Sequence, residues 1–392
     1  MTQAIPKKPE WAQDNCKAYS SHILPGVSDV HDGNLAYKSR HSSPRIIHRK
    51  KLTADDYIQG ILNRDRAIIG RAITLIESQS NQHRSTAQII LNQLTSHTGK
   101  SIRVGITGVP GVGKSTFIEA LGCYLLEKNH RIAVLAVDPS SSLTGGSILG
   151  DKTRMEKLSR DRRCFIRPSP SSGTLGGVAQ KTRETIMICE AAGFDVIMIE
   201  TVGVGQSEIT VRSMVDFFLL LMLANAGDEL QGIKKGIMEM ADAILINKAD
   251  GDNKTRSESA KNEFERALHY LQPSIEGWRS HAYTCSSVTG DGISEIWDVI
   301  MSFCNKTKNT GIFFEQRKKQ SLQWFYFLIE EQLKNMFFQN MEIKTLLPQI
   351  EKDIIKSRYT PYSAVTRIMK QYQSNFFDPS VNDLPFNSNN IP

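Results

Sequence analysis

A glycine-rich segment between Arg103 and Thr116, RVGITGVPGVGKST, carries the residues whose types and spacing most directly predict chemistry. From Gly108 to Ser115 it fits the pattern G-x-x-x-x-G-K-[ST], the P-loop. Glycines let such a loop wrap around phosphate oxygens and turn its backbone N–H groups toward them. We therefore expect Lys114 to reach the β- and γ-phosphates of a nucleotide and Ser115 to ligate Mg²⁺. The predicted phosphate-binding residues are Gly108, Val109, Pro110, Gly111, Val112, Gly113, Lys114, Ser115 and Thr116.

The residues on either side of this segment predict the elements that hold it. The apolar stretch 104–106 is typical of a short buried strand. Apolar residues follow the loop at helical spacing, at Phe117, Ile118, Leu121, Leu125 and Leu126. Short glycine-rich patterns also occur in ordinary loops, but the order strand, loop and helix favours nucleotide binding.

Carboxylates stand at the ends of two further apolar runs. Asp138 follows the run 132–137, and Glu200 closes the run 197–199. An acid at the end of a buried strand helps to hold Mg²⁺ in P-loop enzymes, although a single such acid could equally be a helix cap or a solvated strand end. Gly203, three residues after Glu200, has the spacing of a glycine that offers its N–H to a γ-phosphate, and Asp151 lies in a polar loop after Asp138. The predicted metal-side residues are Ser115, Asp138, Asp151 and Glu200, and the predicted catalytic residues are Lys114, Asp138, Glu200 and Gly203.

A second motif predicts which base is bound. Asn247, Lys248 and Asp250 form N-K-x-D after the apolar run 243–246. An aspartate there accepts hydrogen bonds from N1–H and the 2-amino group of guanine, whereas adenine has no such donor pair. The segment 285–290, CSSVTG, resembles the second guanine loop, so Ser286 and Ser287 are further candidates, although Ser287 stands where alanine is usual. We therefore expect GTP rather than ATP.

The pattern of apolar runs predicts an α/β fold with a mainly parallel sheet covered by helices. The expected strands are 103–107, 132–137, 164–167, 195–200, 217–223, 243–247 and 281–286. The expected divisions are a basic and flexible extension at 1–51, an N-terminal helical segment at 52–100, a P-loop domain at 101–310, a C-terminal helical arm at 311–375 and a disordered tail at 376–392.

The composition limits the class of protein. The 392 residues have 40% hydrophobic content and a net charge of +7, which does not demand a nucleic-acid partner. The six cysteines show no C-x-x-C pair, which is typical of reduced thiols rather than of a disulfide framework. The longest apolar run is too short to span a membrane. We expect a cytoplasmic protein that binds neither nucleic acid nor a membrane.

Longer segments of the chain resemble a known family, the MeaB/MMAA (ArgK-type) P-loop GTPases. The resemblance runs from about residue 52 to about residue 366, and residues 1–50 lie outside it. It rests on the segments AITLIES, GVPGVGKSTFIE, LAVDPSSS, GGSILGDKTRM, RPSPSSGTLGGVA, IETVGVGQSE, DELQGIKKGI and NKADGD.

The resemblance implies a GTP-hydrolysing chaperone of adenosylcobalamin-dependent methylmalonyl-CoA mutase. It implies Mg²⁺ and GTP or GDP at the site, a homodimer built by the C-terminal arm, and slow hydrolysis that the mutase accelerates. By this resemblance the protein would contact adenosylcobalamin only indirectly, through the partner mutase. By this resemblance Asp138, Asp151 and Glu200 are metal-side carboxylates, and the loop with Gln231 and Lys234 is a switch that couples partner binding to hydrolysis.

Other functions remain open at this point. The client could be another acyl-CoA mutase, and the family has also been described as a kinase of amino-acid-transport binding proteins. N-K-x-D disfavours a kinase that uses ATP. A nickel-insertion GTPase would favour a His-rich tract or a cysteine pair, and a nucleic-acid-binding GTPase would favour a recognisable RNA or DNA module. The sequence shows neither feature.

Overall fold

The computed structural model describes residues 52–78, 80–137, 155–168, 175–201, 207–224, 235–273 and 275–376. Several sequence-based expectations lie outside these ranges. They concern the extension 1–51, the tail from 377 onward, and the residues Asp138, Asp151, Gly203, Gln231 and Lys234.

The described residues form a seven-stranded sheet in which every pair of neighbouring strands is parallel. Its order is β3-β2-β4-β1-β5-β6-β7. The strands are β1 (Ile102–Gly108), β2 (Ile132–Val137), β3 (Cys164–Arg167), β4 (Val196–Thr201), β5 (Phe217–Leu223), β6 (Ala243–Asn247) and β7 (Ala282–Thr284). The expected α/β fold with a parallel sheet is thereby confirmed.

Helices connect these strands and extend beyond them at both ends. The helices before the last strand are α1 (Ala54–Leu62), α2 (Arg66–Glu77), α3 (Asn81–Leu94), α4 (Lys114–Glu127), α5 (Glu156–Arg160), α6 (Leu175–Ala191), α7 (Ser207–Arg212), α8 (Lys235–Met240) and α9 (Lys254–His269). The helices after it are α10 (Ile293–Asn309), α11 (Ile312–Gln339), α12 (Met341–Ile355) and α13 (Pro361–Phe376). Among the described helices, none is long and apolar enough to cross a membrane.

Successive residues of the central strands face two separate cores, as the alternation of side chains along a strand requires. On β4, Val196 and Met198 join the core that α4 and α10 cover, whereas Ile197 and Ile199 join the core under α1, α2, α3 and α6. Because both faces are covered, the strands are apolar along their whole length. Polar groups are therefore concentrated where the strands end, and their carboxyl ends share one edge of the sheet.

The first helix of the N-terminal helical layer is capped at Thr53. Thr53 Oγ1 accepts a hydrogen bond from Asp56 N at 3.2 Å, and Thr53 N donates to Asp56 Oδ2 at 2.9 Å. This reciprocal pair is a capping box, which satisfies two backbone groups at the start of α1. The buried side chains of Ile69 and Ile73 on α2 then hold the layer against the sheet.

The last strand is shorter than expected, whereas β1 extends one residue further at each end. The run 281–286 predicts a strand of six residues, but β7 covers only Ala282–Thr284. Ser286 N donates to Asp291 O at 2.9 Å, so the chain turns there instead of continuing the sheet. The early end of β7 leaves Ser286 and Ser287 in a loop beside the end of β6.

The three C-terminal helices leave the sheet as an arm. Helix α11 is 28 residues long, and only its beginning is buried against the sheet, at Phe313 and Gln320. Helices α12 and α13 pack on each other through a small core of Ile343, Ile350, Ala364 and Ile368.

Candidate nucleotide-binding site

The turn between β1 and α4 requires glycine at two positions. Gly108 has φ of 151°, and a Cβ there would lie 2.5 Å from Leu221 O of the neighbouring strand. Gly113 has φ of 94°, and a Cβ there would lie 2.8 Å from Asn247 Nδ2. Both glycines therefore allow the loop to pass close to the ends of β5 and β6, where a side chain could not fit.

Lys114 is the first residue of α4, and its side chain lies inside the loop. Its Nζ donates to Gly108 O at 2.8 Å and to Val109 O at 3.2 Å. Burial lowers the pKa of the Lys114 ammonium, while the carboxylates of Glu200 and Glu208 act in the opposite direction. The loop thus holds a cation at the N-terminus of a helix, where free N–H groups also favour an anion such as phosphate.

The chemistry of two neighbouring side chains fits Mg²⁺. Ser115 Oγ donates to Glu200 Oε1 at 3.2 Å, so a hydroxyl and a carboxylate meet beside the phosphate loop. Oxygen donors of this kind are what Mg²⁺ prefers. Within the described ranges no three His, Cys, Asp or Glu side chains converge, so Ser115 and Glu200 are the described part of the expected metal site.

Asn247, at the end of β6, connects the predicted guanine motif to the phosphate loop. The side chain is 2% exposed, and its Nδ2 donates to Val112 O at 2.9 Å. Its Oδ1 accepts from Ser287 Oγ at 2.8 Å and from Ser287 N at 3.3 Å. One amide therefore links three loops that lie far apart in the sequence.

The next residues of N-K-x-D extend over the same loop. Lys248 has φ of 62°, and its Nζ donates to Gly111 O at 2.9 Å. Asp250 precedes the short 3₁₀ helix Gly251–Asn253, but its carboxylate makes no capping hydrogen bond to that helix. The carboxylate is partly exposed at the mouth of the site. The Asp250 carboxylate is therefore not used to cap the helix that follows it.

The loop after β7 is held beside Asn247 by its backbone as well. Ala249 N donates to Cys285 O at 2.9 Å, and Thr289 N donates to Ser286 Oγ at 3.2 Å. The serine at position 287, a departure from the usual alanine, supplies the hydroxyl that bonds to Asn247. The departure therefore adds a contact between the two loops.

Sequence reasoning missed Glu208 as a candidate site residue. It lies in the first turn of α7 and is 0% exposed, and its charge partly opposes the lowering of the Lys114 pKa by burial. Ser207 Oγ donates to Glu208 Oε2 at 3.4 Å. The signal in the sequence was an acid at the start of a helix directly after a glycine-rich loop.

Thiol chemistry has no place at this site. Cys285 is buried beside Asn247, and burial raises the pKa of its thiol to about 12. Burial likewise raises the pKa of Cys164 and of Cys304 to about 12. Thiols with such pKa values stay protonated and are poor nucleophiles at neutral pH.

Comparison with known proteins agrees with this geometry. The model of the family described as methylmalonyl Co-A mutase-associated GTPase MeaB matches residues 69–342. A probable GTPase of Mycobacterium tuberculosis is 47% identical over 318 residues, which cover 81% of this chain and 95% of the relative. The GTPase ArgK of Escherichia coli is 43% identical over 326 residues, which cover 83% of this chain and 98% of the relative.

A mitochondrial relative and a solved structure extend the comparison. The mouse protein named methylmalonic aciduria type A homolog, mitochondrial, is 43% identical over 330 residues, which cover 82% of this chain and 80% of the relative. A crystal structure of a LAO/AO transport system kinase superposes with a TM-score of 0.66 at 36% identity, covering 82% of this chain and 97% of that one. The chain therefore belongs to the family of methylmalonyl Co-A mutase-associated GTPases, MeaB, and the expectation of a P-loop GTPase is confirmed.

Proposed function

We propose that the protein binds GTP and Mg²⁺ at this site and hydrolyses GTP as a chaperone of adenosylcobalamin-dependent methylmalonyl-CoA mutase. In this role it gates the loading of the cofactor into the mutase, or protects and reactivates the mutase. The observation that carries the proposal is the contact of the guanine motif with the phosphate loop, through Asn247 to Val112 O and Lys248 to Gly111 O. That contact occurs in a chain whose family is named for its association with this mutase.

The described residues support definite roles in hydrolysis. Lys114 would exchange its contacts with loop carbonyls for the β- and γ-phosphate oxygens, and the N–H groups of the loop would bind the remaining oxygens. Ser115 and Glu200 would hold Mg²⁺, which neutralises charge that develops on the phosphates. We propose Asp138 and Asp151 as further metal-side carboxylates and the Gly203 N–H as a γ-phosphate donor.

Base selection would rest on the carboxylate of Asp250. It is partly exposed and makes no helix-capping bond, so it can accept hydrogen bonds from guanine. Asn247 would keep the loop in register with the phosphates, and the stem of Lys248 would cover the face of the base.

The helical arm supports the proposal of a homodimer. Helix α11 exposes a set of large apolar side chains, which is unusual for a monomer in water. The set comprises Phe314, Leu322, Phe325, Tyr326, Ile329, Leu333, Met336 and Phe338. We keep the divisions at 52–100, 101–310 and 311–375 as part of this proposal, with Gln231 and Lys234 as switch residues that couple the partner to hydrolysis. We also keep a cytoplasmic location, in which thiols stay reduced.

A kinase remains the alternative of a different class, because one superposed structure is titled a transport system kinase. The Asn247 and Asp250 arrangement argues against ATP as its donor. Transfer of the γ-phosphate to a protein substrate would favour the kinase, and activation by a different acyl-CoA mutase would change the client but not the chemistry.

Transfer of adenosylcobalamin into the mutase tests the chaperone role. Cofactor-free mutase would be mixed with adenosylcobalamin and this protein, and loading would be followed by the cobalamin absorbance. We expect loading to depend on GTP, to respond differently to a non-hydrolysable GTP analogue, and to be indifferent to ATP. Lys114→Ala should abolish both GTP hydrolysis and its effect on loading, whereas Lys128→Ala, an exposed lysine just after the same helix, should change neither. Loading of the cofactor at the same rate with and without GTP would contradict the proposal.

A further inference from the structure

Two cavities lie at the base of the arm, on either side of one side-chain pair. The first has a volume of about 310 Å³ and the second about 260 Å³, and both are lined by Arg183 and Trp324. The Arg183 guanidinium, on α6, stands 5.7 Å from the centre of the Trp324 ring, on α11. Exposed Thr95 and Ser321 line the larger cavity, which gives access from solvent. The larger cavity alone reaches the lower end of the range of small-molecule sites, about 300 to 1,000 Å³.

The lining of the larger cavity carries an uncompensated positive charge. Arg103 donates from Nε to Glu190 Oε1 at 2.9 Å, and Arg317 donates from NH2 to Asp216 Oδ2 at 2.7 Å. Arg183 has only neutral partners among the described residues, and none of the described residues that line either cavity is acidic. Burial lowers the pKa of the Arg183 guanidinium to about 10, which reflects the cost of keeping its charge there. A bound anion would offset that cost.

Some hydrogen-bonding groups of the lining residues also have no partner among the described residues. Arg183 uses three N–H bonds, to Ser213 O at 2.6 Å, Ser213 Oγ at 2.8 Å and Gln320 O at 3.3 Å. A guanidinium has five, so two remain. Gln320 is 6% exposed, and its Oε1 has no partner in the described structure. Trp324 Nε1 is likewise buried without a partner. Both of these atoms are enclosed by protein and are not open to the cavity, so the two remaining N–H groups of Arg183 are the donors left for a ligand.

The remaining walls define the class of that ligand. Ile186, Met187 and Met214 contribute apolar surface, and one net positive charge suits a monoanion better than a phosphate dianion. We propose that this cavity binds a small organic carboxylate. Its carboxylate accepts hydrogen bonds from the two remaining N–H groups of Arg183, and its apolar body lies against the Trp324 ring and the methionines.

The site is placed to influence the nucleotide site. Ser213, which accepts from Arg183, follows α7, and α7 begins with Ser207 and Glu208 beside Lys114. Arg183 therefore connects the cavity to the end of α7 through its two hydrogen bonds to Ser213. Binding of the carboxylate requires no nucleotide, so the test of this site does not depend on the proposed chaperone role.

Titration of the full-length, nucleotide-free protein with benzoate tests the site by calorimetry. Benzamide is the neutral control of the same shape. We expect benzoate to bind and benzamide to bind at least tenfold more weakly. Arg183→Gln should lower the affinity for benzoate at least tenfold. Lys319→Gln removes an exposed charge from α11 outside both cavities and should leave that affinity unchanged.

Arg183→Lys keeps the positive charge and removes the paired N–H donors of the guanidinium, so it provides a second variant if Arg183→Gln fails to fold. It should weaken benzoate and leave the weak binding of benzamide unchanged. Equal affinity for benzoate and benzamide, no benzoate binding in the millimolar range, or benzoate binding that survives both substitutions would overturn the proposal.

Discussion

Asn247 Nδ2 donates to Val112 O at 2.9 Å across 135 residues of sequence. The same amide accepts from Ser287, so the end of β6, the phosphate loop and the loop after β7 meet at one buried side chain. A single nucleotide can reach the guanine motif with its base and the phosphate loop with its phosphates only if these loops are held at the right distance. This side chain holds that spacing.

Replacing Asn247 with alanine should therefore weaken the binding of guanine nucleotides, although this side chain is expected to contact the protein loops rather than the base or the phosphates. Loss of the amide removes the bond that holds the phosphate loop against the end of β6, so part of the binding free energy must be spent on ordering the two loops. We expect GDP affinity, measured by fluorescence titration, to fall about tenfold or more. Asn253→Ala changes an asparagine in the same loop whose side chain makes no capping bond, and it should bind GDP normally. Equal losses in both variants would show that the contact does not matter.

Asp250→Asn should change the base that is selected. An amide in place of the carboxylate cannot accept both guanine donors, but it can donate to the oxygen that replaces the 2-amino group in xanthine. GTP affinity should fall about 100-fold, and xanthosine triphosphate should bind and be hydrolysed in its place. Asp252→Asn, at an exposed neighbouring carboxylate, is the matched control and should keep the preference for GTP. Unchanged GTP binding by Asp250→Asn would refute the role assigned to this residue.

Arg317→Ala should destabilise the whole protein, because it breaks the anchor of the arm. Arg317 Nε and NH2 each lie 2.7 Å from an oxygen of Asp216, whose side chain is 2% exposed. Removing one partner of a buried pair costs about 3 to 5 kcal/mol, since the other charge is left uncompensated. Denaturant unfolding measures this loss. Lys318→Ala removes only an exposed partner of Glu315 and should leave the unfolding midpoint almost unchanged.

Glu184→Gln should stabilise the protein at alkaline pH but not at acidic pH. Glu184 is 6% exposed between α3 and α6, and burial raises its pKa although Gln180 and Gln88 donate to it. The native state therefore holds this proton more tightly than the unfolded chain. Stability from this group is present below the unfolded pKa of about 4.3 and is lost as pH rises through the native pKa.

Thermal unfolding across a pH series tests this sign. The melting temperature of Glu184→Gln should exceed that of the unaltered protein at pH 8, and the gap should close toward pH 4. Glu127→Gln, at an exposed carboxylate, should produce no such trend. A gap that widens as the pH falls would contradict the account of Glu184.

The sequence was informative where local pattern decides structure. The run 132–137 became β2 over its full length because both faces of the sheet are covered, and the P-loop spacing fits the turn between β1 and α4. Contacts between residues far apart in the sequence could not be predicted, because no local sequence pattern indicates them. Arg183 reaches Gln320 across 137 residues, and nothing in either segment indicates that they meet. Glu208 was missed because its burial depends on how α7 packs.

Turnover of GTP by the purified protein, alone and with methylmalonyl-CoA mutase, tests both the nucleotide and the partner, with ATP as the nucleotide control. Phosphate release would be followed under single-turnover conditions. We expect slow hydrolysis of GTP by the protein alone, a large acceleration by the mutase, and little hydrolysis of ATP in either case. Faster hydrolysis of ATP than of GTP, with or without the mutase, would show that the protein is not a GTPase.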